Sequence, residues 1–207
     1  MNALERFARV TTVAATRMPW LWPLLRSPMR LMFDRIAPQW DTNRSPARLT
    51  AFEAALATIA DAPARVLDVG TGTGDVALAV AARWPEAEVL GFDLSQRMID
   101  EARAKTPPEL RDRVRFDTAD ARHLPVEDAS FDLAAMNNMI PFAAELARVT
   151  ADGGHLVAAF TRGAGTPIYV PFDRLRPDLE RHGFEDVREL AADPGTAVVA
   201  RRGPRVP

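Results

Sequence analysis

An apolar run that ends in an acid and then in three glycines at alternate positions constrains this chain more than any other feature. It reads Val66-Leu67-Asp68-Val69-Gly70-Thr71-Gly72-Thr73-Gly74-Asp75. The apolar part predicts a strand buried in a parallel sheet, because such strands are covered on both faces and carry near-continuous apolar runs. The glycines let the chain turn sharply and let a ligand approach the backbone. A helix predicted from about Asp75 to Arg83 offers its free N–H groups at the same point. A strand, glycine loop and helix in this order bind a nucleoside-containing cofactor.

Two details decide which cofactor. Dinucleotide enzymes carry G-x-G-x-x-G, whereas here the third glycine, Gly74, arrives one residue early. Asp68 lies inside the strand, where a carboxylate repels a pyrophosphate and attracts an ammonium group. S-adenosylmethionine carries an ammonium and a sulfonium and has no phosphate, so the local charge favours it over NAD. A second apolar strand, Val89-Leu90-Gly91-Phe92-Asp93, also ends in an acid, 23 residues after Gly70. That is close to the roughly 20 residues expected of a ribose-binding carboxylate, which accepts from two vicinal hydroxyls. Ser95 is placed to cap the next helix. After the short strand Val114-Arg115-Phe116, Asp120 can accept from an exocyclic amino group such as that of adenine.

These segments occur in family order with Leu124-Pro125, Ser130-Phe131-Asp132-Leu133 and Asp152-Gly153-Gly154. Together they resemble the class I S-adenosylmethionine-dependent methyltransferases, in the small-molecule branch that includes ubiquinone and menaquinone biosynthesis enzymes, over roughly residues 30–200. The resemblance implies that Asp68 and the loop Gly70, Thr71, Gly72 and Gly74 hold the methionine part of the cofactor, S-adenosyl-L-methionine, whose product is S-adenosyl-L-homocysteine. It implies that Asp93 binds the ribose, that Asp120 and the backbone of Ala121 read the adenine edge, and that Leu94 and Met98 flank the adenine ring. Phe33-Asp34-Arg35-Ile36-Ala37-Pro38-Gln39-Trp40-Asp41 resembles a stretch whose aromatic covers the cofactor. Here that aromatic is Trp40, and its face would stabilise a sulfonium by about 0.5–2 kcal/mol; ordinary packing of Trp40 is the competing reading.

Strands near 65–69, 87–92, 113–117, 131–136 and 154–160 alternate with helices near 75–83, 95–104 and 141–150, the pattern of a parallel sheet. In the last of these helices Phe142, Leu146 and Val149 share a face, while Glu145 and Arg148 are expected to point away. A helix near 173–182 stops at Gly183, and Val187–Leu190 and Thr196–Ala200 are joined by Asp193-Pro194-Gly195 as an antiparallel hairpin. The expected fold is therefore α/β: a Rossmann-like, seven-stranded, mostly parallel sheet with a C-terminal antiparallel hairpin, helices on both faces and an N-terminal helical lid. Residues 1–60 form the lid or extension and 61–203 the core, within one domain. Ser45 and Pro46 read as the start of a helix that places Leu49, Phe52, Leu56 and Ile59 on one face.

In open α/β sheets the ligand lies beyond the carboxyl ends of the strands, where strand order reverses. Asn137 and Asn138, after the fourth strand, fall there; each is either a polar group beside the transferred methyl or a cap for the helix begun by Pro141. Methyl transfer is an in-line displacement at an activated carbon and requires alignment and exclusion of water rather than an obligatory catalytic side chain. The catalytic residues are therefore open, with Asn137, Asn138, Tyr169 and His155 as candidates and His123 and His182 read as structural. No metal site is expected.

The 207 residues carry a net charge of −2, which gives no basic field for nucleic acid, and no cysteine, which excludes disulfides, thiol nucleophiles and cysteine–zinc sites. Lys105 is the only lysine. The apolar Met18–Leu25 stretch is too short to span a bilayer, so a cytoplasmic protein without stable membrane insertion is expected. The N-terminal apolar concentration, with Arg17, Arg26, Arg30 and Arg35 interspersed, reads as a lid packed on the core or on a second subunit, as a pocket wall for a lipophilic acceptor, or as a membrane-surface contact. The expected activity is methyl transfer to a small, partly apolar acceptor; the alternatives are a non-catalytic S-adenosylmethionine-binding partner or sensor and a nicotinamide-dependent oxidoreductase. The chain lacks the extended region that quinone-type enzymes carry after Trp40-Asp41, and Thr161 to Pro171 is short. Both departures argue against a quinone as the acceptor.

Overall fold

The computed structural model describes residues 1–42 and 46–205. Seven strands, β1 (Arg65–Val69), β2 (Glu88–Asp93), β3 (Val114–Thr118), β4 (Phe131–Asn137), β5 (Thr150–Phe160), β6 (Phe184–Ala192) and β7 (Gly195–Arg202), form one sheet. Its order is β3-β2-β1-β4-β5-β7-β6. The first five strands run parallel, and β7 is antiparallel to both β5 and β6. The chain moves outward from β1 to β3 and then returns to place β4 on the other side of β1, so the carboxyl ends of β1 and β4 are the switch point at which open α/β sheets hold a ligand crevice.

The alternation of side chains along each central strand explains why both faces are buried. Val66 of β1 and Leu133 and Ala135 of β4 pack with α3 (Thr50–Leu56), α4 (Asp75–Arg83) and α5 (Gln96–Lys105) on one face. Leu67, Val69, Ala134 and Met136 pack with α6 (Ala143–Val149) and α7 (Phe172–Arg181) on the other. Asp68 shares the period of Val66 and so points, as an acid, into the α3–α4 face. Ser95 caps α5 by accepting from the Met98 N–H at 3.2 Å.

α1 (Ala3–Arg17) and α2 (Trp22–Ile36) pack on each other and on the loops that follow β2, β4 and β5: Ala8, Ala15, Trp22 and Met29 lie in one cluster with Ile140, Ile168 and Leu94. α3 behaves differently. It lies on the sheet, with Phe52 and Ala55 fully buried against β5 and β7 residues, so the N-terminal 60 residues supply both a cover over the carboxyl edge and a core helix. The expected helix start at Ser45 lies outside the described residues; a 3₁₀ turn spans Pro46–Leu49 and α3 begins at Thr50. No described helix is long and apolar enough to cross a membrane.

Candidate functional site

Gly70, Gly72 and Gly74 adopt φ of 72°, 55° and 84°, the left-handed region. At Gly70 the requirement is also spatial: a Cβ there would lie 2.7 Å from Met139 Sδ. The loop is pinned from below by Asp68, whose carboxylate accepts from Thr71 Oγ1 at 2.6 Å and from the Ala77 N–H at 3.1 Å. Gly74, the N-cap of α4, has no side chain to satisfy the first turn, and Asp68 supplies that acceptor from the neighbouring strand. Its second oxygen, Oδ1, is buried and has no hydrogen-bond partner. Burial pushes the Asp68 carboxyl up to about 7, against the pull of its two donors.

Asp93, half-buried at the end of β2, accepts from the Gly72 N–H and the Ser95 N–H, both at 2.9 Å. Burial raises this carboxyl to about 6. Asp120, in the loop after β3, is held by the lid: Trp22 Nε1 donates to Oδ1 at 2.8 Å, and Arg26 reaches Oδ2 at 3.1 Å. Ser95 Oγ donates to Asp34 Oδ1 of α2 at 2.6 Å, a second tie between lid and sheet. Leu94 packs against the lid cluster, and Met98 is buried at the foot of α5.

Trp40 lies over the glycine loop, its indole Nε1 3.5 Å from the position of a Cβ on Gly72, and packs edge-on against Phe33 with ring centroids 5.8 Å apart. Asp41 extends the same tie, accepting from Thr73 Oγ1 at 3.0 Å. The single lysine has a place here: Lys105 Nζ bonds Asp75 at 2.6 Å, Asp41 at 2.9 Å and Thr73 Oγ1 at 3.1 Å. Arg48 forks onto Asp75 at 2.7 and 3.1 Å. This cluster fastens the segments on either side of residues 43–45 to the first turn of α4.

The four catalytic candidates separate. Asn137 sits at the carboxyl end of β4, making only long contacts, 3.3 Å to the Arg48 carbonyl and 3.4 Å from Thr161 Oγ1. Asn138 is spent on structure: its amide donates to Thr161 Oγ1 at 2.8 Å and its oxygen accepts the Thr161 N–H at 2.9 Å, joining the ends of β4 and β5. Neither asparagine caps α6, whose N-cap is Phe142. His155 pairs with Leu133 and Arg201 in mid-sheet, five residues and roughly 16 Å short of the end of β5. Burial and then Arg201 and Arg188 lower its pKa, and it does not reach the crevice. The ring of Tyr169 packs on Phe160 at 5.1 Å, and burial, with Glu189 and Asp173 nearby, raises its phenol pKa.

Glu145 and Arg148, expected to face solvent, do the opposite. Glu145 is buried and accepts from the Leu124 N–H at 2.6 Å, and Arg148 donates to Glu145, Asp128 and the carbonyls of Leu124 and Val126. The pair fixes the loop that carries Asp120 to α6.

Known proteins are similar to this chain in sequence and in fold. A family model described as a methyltransferase domain matches residues 66–154. The demethylmenaquinone methyltransferase of Deinococcus radiodurans is 38% identical over 142 residues, 61% of this chain and 57% of that relative. The demethylmenaquinone methyltransferase of Thermus thermophilus is 38% identical over 169 residues, 72% of this chain and 74% of the relative. The chain thus spans a little over half of one relative's length and about three quarters of the other's. The solved structure of an S-adenosylmethionine-dependent methyltransferase from Aquifex aeolicus matches with a TM-score of 0.66 at 20% identity, covering 81% of this chain and 97% of that one, a likeness of fold. The relatives are enzymes by name, and nothing in them supports a non-catalytic binder. Both of these relatives are named for demethylmenaquinone.

Proposed function

The chain belongs to the S-adenosylmethionine-dependent methyltransferases, and from that premise we propose that its acceptor is a small, partly apolar ring of the kind a demethylated quinol presents. The observation that carries this reading is the lining of the lid. Leu25, Met32 and Phe33 of α2 share one cluster with Ile140, Phe142 and Ile168 from the loops after β4 and β5. An acceptor entering beside Asn137 therefore meets apolar walls and, at the end of β4, one amide held only by long contacts.

On this reading Asp68 and the loop Gly70–Gly74 hold the methionine part of the cofactor. The buried Asp68 Oδ1, which has no hydrogen-bond partner, fits a cationic amino group. Asp93 takes the ribose hydroxyls and Asp120 with Ala121 the adenine edge, between Leu94 and Met98. Only the half-exposed Arg26 has to leave Asp120 Oδ2 for the adenine amino group, and surface pairs of that kind are worth about 1 kcal/mol or less. Trp40 covers the loop. When bound, the cofactor supplies a methyl group on a sulfonium, activated for displacement. The residues of this chain align the acceptor and exclude water, and an apolar pocket favours the step when the nucleophile is anionic, because charge is neutralised.

Two expectations follow for binding and turnover. Asp68 and Asp93, raised to about 7 and about 6, are partly protonated in the free protein near neutrality. A cationic amino group and hydroxyl donors favour their ionised forms, so binding releases protons. Affinity for S-adenosylhomocysteine is expected to tighten roughly ten-fold from about pH 6 to about pH 8. Calorimetry in buffers of different ionisation heats reads this, and an affinity flat across that window contradicts it. For the fold alone the sign is reversed: both raised carboxyls favour the folded state most below about pH 4, and that contribution is lost as pH rises through 6 and 7. In turnover, transfer of labelled methyl groups to prenylated and unprenylated hydroquinone rings, to a catechol and to an aliphatic carboxylic acid tests the acceptor. The ring acceptors are expected to be labelled at least ten-fold faster than the acid; labelling confined to the acid overturns the reading.

A further inference from the structure

Among the described residues, every large apolar side chain that is exposed lies between Met1 and Leu31: Met1, Leu4, Val10, Val13, Met18, Trp20, Leu24 and Leu31. Trp20 and Leu24 are 70% and 71% exposed. They are not the lid's packing face. On α1 that face is Ala8, Thr11, Thr12 and Ala15, and on α2 it is Trp22 and Met29. Val10 and Val13 fall on the opposite side of α1. Leu24 and Leu31, one heptad apart, line the opposite side of α2. Trp20 projects from the 3₁₀ turn Pro19–Leu21 that joins the two helices. The lid is thus apolar twice over, once toward the crevice and once away from it.

Charge identifies what covers the outer face. Residues 1–35 hold six arginines against Glu5 and Asp34, whereas the other 172 residues hold 20 basic and 26 acidic side chains. Both acids of the segment are turned to other tasks: Glu5 pairs with Arg162 at 3.0 Å and caps the start of α1, and Asp34 accepts from Ser95. Arg6, Arg17, Arg30 and Arg35 are exposed. A second copy of this chain on the same face would set these arginines against each other. An anionic lipid surface offers the complementary charge and takes up Trp and Leu at the headgroup boundary, while arginines reach along the interface. Each helix has 15 residues, about 22 Å, too short to cross a bilayer and suited to lying on one.

We infer that the outer face of α1–α2 docks the protein on an anionic bilayer surface. This does not depend on the acceptor proposed above, because docking is read without turnover; if that acceptor also holds, the lid becomes the element between the bilayer and the crevice. The test is flotation of the full chain with vesicles of phosphatidylcholine alone and of equal parts phosphatidylcholine and phosphatidylglycerol. The protein is expected to float with the anionic vesicles only, less so in high salt. A Trp20→Ser/Leu24→Ser/Leu31→Ser variant is expected to lose at least ten-fold in partitioning, and Arg30→Ser/Arg35→Ser to lose the preference for anionic lipid. Both should keep the thermal transition and S-adenosylhomocysteine binding of the parent, since these side chains are exposed. Absence of flotation with either vesicle overturns the inference. So does a dimer in sedimentation equilibrium that the triple variant dissolves, because the face is then covered by a second copy.

Discussion

Asp93→Ala is expected to weaken S-adenosylmethionine binding by about a hundred-fold or more. The carboxylate stands at the end of β2, with one oxygen accepting from Gly72 N–H and the other from Ser95 N–H. Those bonds orient it, and the proposed ribose would add two hydroxyl donors to the same carboxylate. Hydrogen bonds to a charged group are worth about 1.5–3 kcal/mol each, so losing two costs about 3–6 kcal/mol, a factor of 10² or more in affinity. The fold should lose much less. Alanine strips two backbone donors of an acceptor but also removes a carboxylate whose ionisation is disfavoured by burial. Asp93→Asn, which keeps one acceptor oxygen, is expected to fall between the parent and the alanine variant. Titration of both variants alongside their thermal transitions checks this, and undiminished affinity in Asp93→Ala contradicts the assignment of the ribose to β2.

The second large effect falls on a residue that touches no ligand. Arg148→Ala removes donors from two carboxylates and two carbonyls at once. It also leaves Glu145, 9% exposed, as a buried carboxylate without its counter-charge. Breaking a buried pair from one side costs about 3–5 kcal/mol, which for a chain of this size corresponds to a fall of roughly 6–20 °C in Tm. The same loss frees Leu124–Asp128, the second half of the connection that holds Asp120, so affinity for the adenosyl part should drop as well. Arg148→Lys keeps the charge and loses the fork, and should recover part of the stability. A thermal transition in Arg148→Ala within 2 °C of the parent, about the shift of a 1 kcal/mol change, contradicts the role given to the pair.

The parts of this molecule that announce themselves in the sequence are those in which neighbours along the chain do the work. The β1 run, the alternate glycines and the apolar period of α4 are local, and the helix lies at Asp75–Arg83 as its spacing predicts. The final hairpin follows from its turn residues in the same way. Boundaries drift where two local signals compete. The fifth strand is expected near 154–160, yet β5 runs from Thr150 through Asp152-Gly153-Gly154, with a register shift against β4 at the left-handed Gly153. The acids proposed for the cofactor were legible for the same reason: Asp68 interrupts an apolar strand, Asp93 closes one and Asp120 lies in the loop after another.

The lid's attachments were not legible. Trp22 reaches Asp120 across 98 residues and Lys105 reaches Asp41 across 64, and no periodic pattern encodes such a pairing. Met139 seated on Gly70 belongs to the same class. Glu145 and Arg148 misled in a different way. An acid and a base three residues apart on a helix read as a solvated face, but the loop after Asp120 covers that face and turns the pair inward. His155 misled because its position in the strand, not its chemistry, decides whether it meets the crevice.

Calorimetric titration of the full chain with S-adenosylmethionine, S-adenosylhomocysteine and NAD, at a pH where Asp68 and Asp93 are ionised, tests the central claim most directly. The proposed roles, Asp68 beneath the loop for the amino group and Asp93 beside it for the ribose, predict micromolar binding of the first two and none of NAD. Binding of NAD, or of none of the three, would contradict it.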